Sequence, residues 1–294
     1  MLLGFPEYAP QTRALAAAAG QSSAIVEVHR FPDGESRVRL PPALPPDVVV
    51  CRSLDAPNEK LVELLIAAAA ARDLGAKHVT LVAPYLCYMR QDMAFTPGEA
   101  VSQRIIGRLL AAQFDRVITV DPHLHRISRL SEAIPCASAV ALSAAQPIAA
   151  WLDARLAAAA CTPLIIGPDS ESKQWVDAIA AFSGLEGVVG EKVRSGDTEV
   201  QIRLPDIDLT DREVILVDDM ASTGCTLETT AARCRTRGAS RVDIVVTHGL
   251  FRGDAIERLR RAGADLIVST DSVAHATNAI SLAPLLARSL ALPA

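Results

Sequence analysis

The sequence predicts an α/β protein in which helices alternate with the strands of mainly parallel sheets. Short apolar segments rich in Val and Ile recur along the chain, and segments of helix-forming composition separate most of them. LGAKHVTLV at residues 74–82 also matches RGASRVDIV at residues 237–245, which indicates either an internal repeat or a chance similarity. The 294 residues are enough for two cores of ordinary size. We therefore predict two similar halves, residues 1–140 and 141–294.

In the first half, residues 1–23 predict a short strand and then a helix rich in alanine, the residue that loses least on entering a helix. The Pro-Asp-Gly turn within residues 31–40 precedes an alternating pattern that suits an edge strand. The other predicted elements are strands at 25–29, 48–51, 77–83 and 117–120, helices at 58–74, 99–112 and 139–160, and a loop at 84–98.

The second half repeats this alternation of strands and helices. Its predicted strands are at 164–167, 187–193, 199–204, 214–217, 241–247 and 266–269. Its predicted helices are at 169–182, 227–237, 254–262 and 281–292. Strands that alternate with helices in this way are typical of parallel, doubly wound sheets.

Composition excludes several classes of protein. The formal net charge of −5 argues against a nucleic-acid surface built on bulk positive charge. The alanine-rich runs are too short and interrupted to span a membrane, and the first residues lack the pattern of a signal peptide. The six cysteines form no C-x-x-C pair, which favours reduced thiols. We therefore expect a cytoplasmic protein without nucleic-acid or membrane partners.

The segment EVILVDDMASTGCTL, residues 213–227, has the pattern of a phosphate site. An apolar strand is followed by Asp218 and Asp219, then by a turn of small residues, then by a helix. Unpaired N–H groups and the helix dipole favour an anion at such a helix N-terminus, and the carboxylates suit sugar hydroxyls or Mg²⁺-bound oxygens. The turn residues are Ser222, Thr223, Gly224, Cys225 and Thr226.

An ordinary strand-to-helix connection with a capping aspartate is the alternative for this segment. Adjacent acids at the end of an apolar strand are costly unless they are paired or used. In the first half, the corresponding strand VVVCRS is followed by neither paired acids nor a small-residue turn. We therefore expect the phosphate site in the second half alone.

Other polar residues lie in predicted turns and loops of the first half. Asp33 and Glu35 belong to an acidic turn, and Arg90 and Gln91 lie in a loop where a guanidinium could hold phosphate through two hydrogen bonds. Each of these pairs, taken singly, also fits a solvated surface turn.

Polar residues also follow strands, at the edge where open α/β sheets bind ligands. Asp121 and His123 follow one predicted strand and Asp169 follows another, so these side chains could serve a metal–nucleotide complex. Lys192 and Arg194 are two residues apart, so on an extended segment both cations face one side. A solvated basic edge is the alternative for this last pair.

Taken together, these segments resemble the ribose-phosphate diphosphokinases, the family of phosphoribosyl-diphosphate (PRPP) synthetases. FPDGE, PYxxYxRQD, DPH, the Pro-Asp at Asp169, EKVRSGDTEV and VDDMASTGCT occur in the family's order and cover nearly the whole chain. The pattern is most similar to the shorter archaeal-type members. The resemblance implies two tandem type I phosphoribosyltransferase-like domains, each a mainly parallel sheet flanked by helices. It also implies transfer of the β,γ-diphosphate of ATP to C1 of ribose 5-phosphate, with Mg²⁺ as cofactor and with assembly into a homodimer or larger.

The resemblance also implies a role for each candidate residue. ATP would be bound by Asp33, Glu35, Arg90, Gln91 and His123, the first two across a subunit boundary. The metal ligands would be His123, Asp169 and Asp121. The catalytic cations would be Lys192 and Arg194. Ribose 5-phosphate would be held by Asp218, Asp219, Ser222, Thr223, Gly224, Cys225 and Thr226.

The sequence departs from the family's pattern beside two of these sites. Ser170, Glu171 and Ser172 follow Asp169 where the family has a small residue, and Cys225 stands where glycine is common. Two other functions remain open at this stage: a phosphoribosyltransferase that uses PRPP, or a non-catalytic regulatory paralogue of the synthetase.

Overall fold

The computed structural model describes residues 1–157, 162–195 and 199–292, with the backbone alone at 192–195 and 199–201. Contacts divide the chain into two compact units. Unit 1 comprises Met1–Ser143, Ser272–Ala274 and Leu282–Ala294, and unit 2 comprises Ala144–Asp271 and His275–Ser281. The C-terminal segment therefore groups with unit 1, while the domain limits expected from the sequence stay a prediction.

Unit 1 is built on a six-stranded parallel sheet in the order β2-β1-β5-β6-β7-β8. An antiparallel hairpin, β3–β4, stands apart from that sheet. The strands are β1 (Leu2–Gly4), β2 (Ser23–Ile25), β3 (Glu27–Arg30), β4 (Ser36–Arg39), β5 (Asp47–Cys51), β6 (His78–Val82), β7 (Arg116–Val120) and β8 (Ser138–Leu142). The helices are α1 (Ala9–Ala18), α2 (Pro57–Asp73), α3 (Ser102–Ala111) and α4 (Leu130–Ala133).

Unit 2 has a second six-stranded parallel sheet, in the order β10-β9-β13-β14-β15-β16, and a second antiparallel hairpin, β11–β12. Its strands are β9 (Leu164–Gly167), β10 (Glu186–Val189), β11 (Glu191–Ser195), β12 (Glu199–Arg203), β13 (Glu213–Ala221), β14 (Arg241–Gly249), β15 (Leu266–Thr270) and β16 (Asn278–Ile280). Its helices are α5 (Ala145–Leu156), α6 (Lys173–Ser183), α7 (Cys225–Thr236) and α8 (Ala255–Arg261), and the last helix of the chain, α9 (Ala283–Ala291), belongs to unit 1.

The two sheets have the same topology. In each unit the second strand pairs outside the first, a hairpin leaves the sheet, and the remaining strands add in chain order on the other side. Strand β5 of unit 1 therefore corresponds to β13 of unit 2. This correspondence supports duplication over chance similarity and confirms the predicted α/β class with two mainly parallel sheets.

The central strands of both sheets are buried along nearly their whole length. Each unit has its own apolar core, made largely of Val, Ile, Leu and Ala side chains from strands and from the helices beside them. A parallel strand that is covered on both faces has a nearly continuous apolar sequence, which explains why these strands were predictable from sequence. Among the described residues, no helix combines the length and the apolar character that crossing a membrane requires.

In the structure, two of the predicted elements are each divided into two. The helix predicted at 139–160 begins only at Ala145, because residues 138–142 form β8 and pair with β7. Tertiary pairing here overrides the helical preference of alanine. The strand predicted at 187–193 is two strands that meet at Gly190, where a Cβ would lie 2.7 Å from the Pro168 carbonyl oxygen.

The end of β5 carries a buried cation where β13 carries paired acids. Arg52 is only 2% exposed, and its guanidinium donates to Glu7 at 2.7 Å and to Glu63 at 2.5 Å. The same guanidinium lies 3.8 Å from the centre of the Phe5 ring. Ion pairing and the aromatic contact together offset the cost of burying this charge.

Glu63 links this buried cation to the β3–β4 hairpin. Its carboxylate is 1% exposed and also accepts from Ser36 Oγ at 2.9 Å, while Arg30 lies 3.4 Å away. Burial alone would raise the pKa of Glu63, but the bonds from Arg52 and Ser36 and the neighbouring positive charges lower it below its ordinary value. The carboxylate therefore holds the hairpin against α2 in its ionised form.

Replacing this carboxylate tests its role in holding the hairpin. Glu63→Gln should lower the free energy of unfolding by roughly 3 kcal/mol, because Arg52 then keeps only one acidic partner. A lowered pKa means that the stabilisation is present above the unfolded value of about 4.3 and is lost as pH falls through the lower folded value. Urea unfolding at pH 7 and in acid measures both effects.

Glu59→Gln is the matched control for that experiment. Glu59 lies on the same helix and also pairs with Arg30, but it is 70% exposed, so its loss should cost roughly 0–1 kcal/mol. Equal stability losses in the two variants would contradict the anchoring role of Glu63.

Candidate active site

The predicted phosphate turn is a short loop between β13 and α7. Gly224 has φ +75°, in the left-handed region that favours glycine, and it is the N-cap of α7. The helix begins at Cys225 and not at residue 227, so Cys225 and Thr226 are its first two residues. The N–H groups of a first helical turn have no partner within the helix. A helix N-terminus therefore follows the small-residue turn, and the binding of an anion there stays a prediction.

Asp218 and Asp219 lie inside β13 and do not follow it. The strand continues to Ala221 because its neighbour β14 runs equally far and offers pairing partners, with Asp218 opposite Val246 and Ala221 opposite Gly249. The Asp219 N–H donates to Asp218 Oδ1 at 3.0 Å. Asp219 is 4% exposed.

Negative charge accumulates around Asp218. Burial raises the pKa of Asp218 well above its ordinary value, and the charges of Asp219 and Asp169 raise it further. Because β9 and β13 are parallel neighbours, Asp169 after β9 lies at the same sheet edge as Asp218. In unit 2 the structure thus brings together three of the predicted carboxylates.

Asp169 also shapes the turn that follows it. Its Oδ1 accepts from the Glu171 N–H at 3.0 Å, and its carbonyl oxygen accepts from Ser172 Oγ at 2.5 Å. These bonds cap a turn of 3₁₀ helix, Ser170–Ser172, before α6. Ser172 is therefore buried as a structural residue, while Glu171 is exposed.

Cys225 does not crowd the phosphate loop. Its thiol is exposed, and Sγ accepts from the Arg258 guanidinium at 3.6 Å. The Thr223 hydroxyl and the Arg258 guanidinium lower the pKa of this thiol below its ordinary value. The departure from glycine is thus accommodated by a partner on α8 that sequence analysis did not single out.

In unit 1, the acidic residues Asp33 and Glu35 occupy the tip of the β3–β4 hairpin. The Glu35 N–H donates to Asp33 Oδ1 at 3.2 Å, and both side chains are exposed. A pocket of about 790 Å³ lies between this tip and α2, with Asn58 and Val62 in its wall. The two acids border this pocket from one side.

The predicted loop after β6 carries Arg90 and Gln91. The Gln91 amide donates to the Met93 carbonyl at 3.0 Å and to Glu99 at 3.3 Å, so the loop is braced internally. The next residue, Asp92, is 6% exposed and accepts from Arg126 at 2.6 Å. The sequence alone assigns this aspartate no role, although it belongs to the RQD motif.

Asp121 and His123 follow β7. Asp121 is 7% exposed and has φ +37°, a positive value that is uncommon outside glycine and that aspartate adopts more often than most other residues. The His123 ring contacts the ring of His125, with 4.2 Å between their centres. The sequence alone assigns His125 no role. The predicted metal ligands thus divide between the units, with Asp121 and His123 in unit 1 and Asp169 in unit 2.

Lys192 and Arg194 lie on β11, in the hairpin with β12, where residue 192 is opposite Ile202. Their side chains lie outside the described residues. The backbone puts both positions on one face of the strand, as the sequence predicts.

The raised pKa of Asp218 predicts a gain of stability when its charge is removed. Between the unfolded pKa of about 4 and the higher folded value, the folded protein retains a proton that the unfolded chain releases. Stability therefore falls as pH rises through this range. Asp218→Asn should therefore raise the melting temperature of the metal-free, ligand-free protein by about a few degrees at pH 7, because a small gain in the free energy of unfolding has an effect of this size.

Calorimetry at pH 7 and pH 4 measures this effect, and the difference should vanish at the lower pH. Asp206→Asn, which changes an exposed acid of the same unit, is the control and should leave the melting temperature unchanged. If Asp218→Asn instead melts at a lower temperature than the parent at pH 7, the Asp218 carboxylate is not destabilised by the charges of Asp219 and Asp169.

Family comparisons agree with this architecture. The N-terminal domain of ribose phosphate pyrophosphokinase matches residues 4–113, and the phosphoribosyl transferase domain matches residues 141–292. A ribose-phosphate pyrophosphokinase of Methanopyrus kandleri is 37% identical over 88% of this chain and 87% of its own length. A second ribose-phosphate pyrophosphokinase, from Halobacterium salinarum, is 33% identical over 99% of this chain and 100% of its own length.

A solved structure extends the likeness to the fold. The phosphoribosylpyrophosphate synthetase of Mycobacterium smegmatis superposes with a TM-score of 0.84 at 25% sequence identity. The alignment covers 99% of this chain and 97% of that one. Both domains of the family are therefore present in the family's order, and the chain belongs to the ribose-phosphate pyrophosphokinase family.

Proposed function

We propose that this chain transfers the β,γ-diphosphate of ATP to the C1 hydroxyl of ribose 5-phosphate, giving PRPP and AMP. One observation carries the proposal within this family: the loop at the start of α7 follows the paired acids of β13 after only two residues, Met220 and Ala221. A phosphate group and the hydroxyls of one sugar need anion-binding N–H groups and carboxylate acceptors side by side.

Ribose 5-phosphate binds in unit 2 in this proposal. Asp218 and Asp219 accept hydrogen bonds from the ribose 2- and 3-hydroxyls, and the loop receives the 5-phosphate. The N–H groups at the start of α7 and the helix dipole support this placement of the phosphate. The loop residues that hold the phosphate are Ser222, Thr223, Gly224, Cys225 and Thr226.

ATP binds through unit 1 and through the hairpin tip of a second copy. Asp33 and Glu35 are exposed, which leaves them available to another subunit. Self-association into a homodimer or larger follows from this arrangement. Arg90, Gln91 and His123 hold the nucleotide from the loops after β6 and β7, and the braced conformation of the first loop supports such a role.

Magnesium fits the chemistry of the donors. In unit 2 the repulsion felt by Asp218 from Asp169 and Asp219 leaves negative charge that a divalent cation would neutralise. Carboxylate oxygens are hard ligands of the kind Mg²⁺ takes. Asp121, His123 and Asp169 would hold the ion with ATP, and the bound ion would neutralise charge on the phosphate oxygens.

Catalysis of this reaction depends chiefly on the positioning of the two substrates and on positive charge beside the transferred phosphates. The C1 hydroxyl oxygen forms a bond to the β-phosphorus, the bond from that phosphorus to the oxygen of the α-phosphate breaks, and AMP leaves with the electron pair. The hydroxyl proton is released. Lys192 and Arg194 approach the transferred group as cations, and loss of one such charge typically lowers the rate ~10²–10³-fold.

We also place the enzyme in the cytoplasm. Five cysteines among the described residues are free thiols, and free thiols persist in reducing compartments.

The proposal predicts AMP release that depends on both substrates. Purified protein with ATP and Mg²⁺ should form AMP only when ribose 5-phosphate is present, and EDTA should stop the reaction. Lys192→Ala should lower kcat by ~10²–10³ without unfolding the protein, since it removes one charge at the reacting group. Chromatographic separation of AMP from ATP measures the rate.

Three results of that assay would overturn the proposal. Equal AMP formation without ribose 5-phosphate would indicate simple hydrolysis of ATP. Turnover of PRPP with a nucleobase, and none with ATP, would indicate a phosphoribosyltransferase. No turnover with either set of substrates, unchanged by Lys192→Ala, would indicate a non-catalytic relative.

A further inference from the structure

The carbonyl groups of Ala221, Ser222 and Thr223 all accept hydrogen bonds from one segment, residues 250–258. The Ala221 carbonyl oxygen accepts from the N–H groups of Leu250 at 3.0 Å and Phe251 at 2.9 Å. The Ser222 carbonyl accepts from the Arg252 N–H at 2.9 Å. The Thr223 carbonyl accepts from a side chain, the guanidinium of Arg258 on α8.

These bonds orient the N–H groups that would meet the phosphate. In a planar trans peptide the C=O and the following N–H point in opposite directions. Holding the Thr223 carbonyl toward α8 therefore turns the Gly224 N–H away from α8. The first two carbonyls are fixed by backbone donors, but the orientation of the third peptide depends on Arg258.

The guanidinium of Arg258 is itself held in place by two carboxylates. Nε donates to Asp254 at 3.0 Å, and Nη1 donates to Glu228 at 2.8 Å and to the Cys225 thiol at 3.6 Å. Asp254 and Glu228 neutralise its charge. Arg258 therefore acts on the loop through hydrogen-bond geometry and is not a free cation for the phosphate.

Apolar contacts from α8 support the same part of the loop. A Cβ added to Gly224 would lie 3.6 Å from Leu259 and 3.7 Å from Ala255, so α8 lies directly beneath the loop. Ala255 and Leu259 are fully buried. This packing keeps α8 in place when the guanidinium alone is removed.

We propose that Arg258 is a positioning residue for ribose 5-phosphate, acting by fixing the Thr223–Gly224 peptide and the start of α7. This inference rests on the proposed function, because it assigns a role in the same phosphate site. Arg258 contacts the loop from outside, so its loss should weaken sugar-phosphate binding and leave ATP binding almost unchanged.

Arg258→Met tests this role, because methionine keeps much of the apolar stem and removes every donor. The dissociation constant for ribose 5-phosphate, measured by calorimetry without ATP, should rise roughly tenfold or more, as expected for one hydrogen bond from a charged group. KM for ATP should change less than about twofold, since the loop makes no contact with it in this scheme. Arg260→Met is the control, since Arg260 is exposed on the same helix and should leave both constants unchanged.

The Cys225 thiol gives a readout that a general loss of stability would not produce. The Thr223 hydroxyl and the Arg258 guanidinium both lower the pKa of this thiol, so Arg258→Met, which removes the second contribution, should shift the pH profile of Cys225 alkylation by iodoacetamide to higher pH. Mass spectrometry of the Cys225 peptide separates it from the other cysteines. If the methionine variant fails to fold, Arg258→Lys serves as the test in its place. This variant keeps a positive charge but loses the planar guanidinium, so it should bind ribose 5-phosphate less tightly than the parent.

Two outcomes distinguish failure of this inference from failure of the proposed function. Equal affinity for ribose 5-phosphate in the parent and in the Arg258 variants would overturn the inference alone. No binding of ribose 5-phosphate by the parent protein would overturn the proposed function and this inference with it.

Discussion

The repulsion among carboxylates at the edge of the second sheet is the constraint on which the rest of the site depends. Asp219 is the next residue of β13, and Asp169 lies near Asp218 because β9 and β13 are parallel neighbours; burial strengthens the repulsion. Such a cluster lowers the stability of the folded protein until a cation or sugar hydroxyls approach it. Only two residues separate Asp219 from the loop before α7, so carboxylate acceptors and the N–H donors of a helix N-terminus lie close together in the chain. A sugar phosphate carries hydroxyl groups that suit such acceptors and an anion that suits such donors.

The two units share one sheet topology, but residues of opposite charge lie at the ends of the corresponding strands β5 and β13. At the end of β13 the chain has paired acids and a small-residue loop, whereas at the end of β5 it has Arg52, buried between Glu7 and Glu63. The cation in unit 1 braces the hairpin that carries Asp33 and Glu35. The two sheets therefore share one topology, and the residues at the end of one strand distinguish the unit in which we propose the phosphate site.

Local sequence patterns predicted most of the fold, since buried parallel strands and alanine-rich helices have strong signals. They failed at β8, where pairing with β7 overrides the helical preference of residues 138–142, and at β13, which β14 extends past its apolar run. In the site, the acids and the loop were recognisable because they are contiguous. Arg258 was not, because it lies 35 residues from the carbonyl it binds and only the packing of α8 brings them together.

The fate of the β-phosphorus of ATP tests the central claim most directly. Phosphorus-31 NMR of a reaction with ATP, ribose 5-phosphate and Mg²⁺ follows each phosphorus separately. The account predicts that the β-phosphorus becomes the one attached to C1 of the ribose, with the γ-phosphorus still bonded to it, while the α-phosphorus appears only in AMP. Appearance of the β-phosphorus in ADP, or of free pyrophosphate without a ribose-linked diphosphate, would contradict the account.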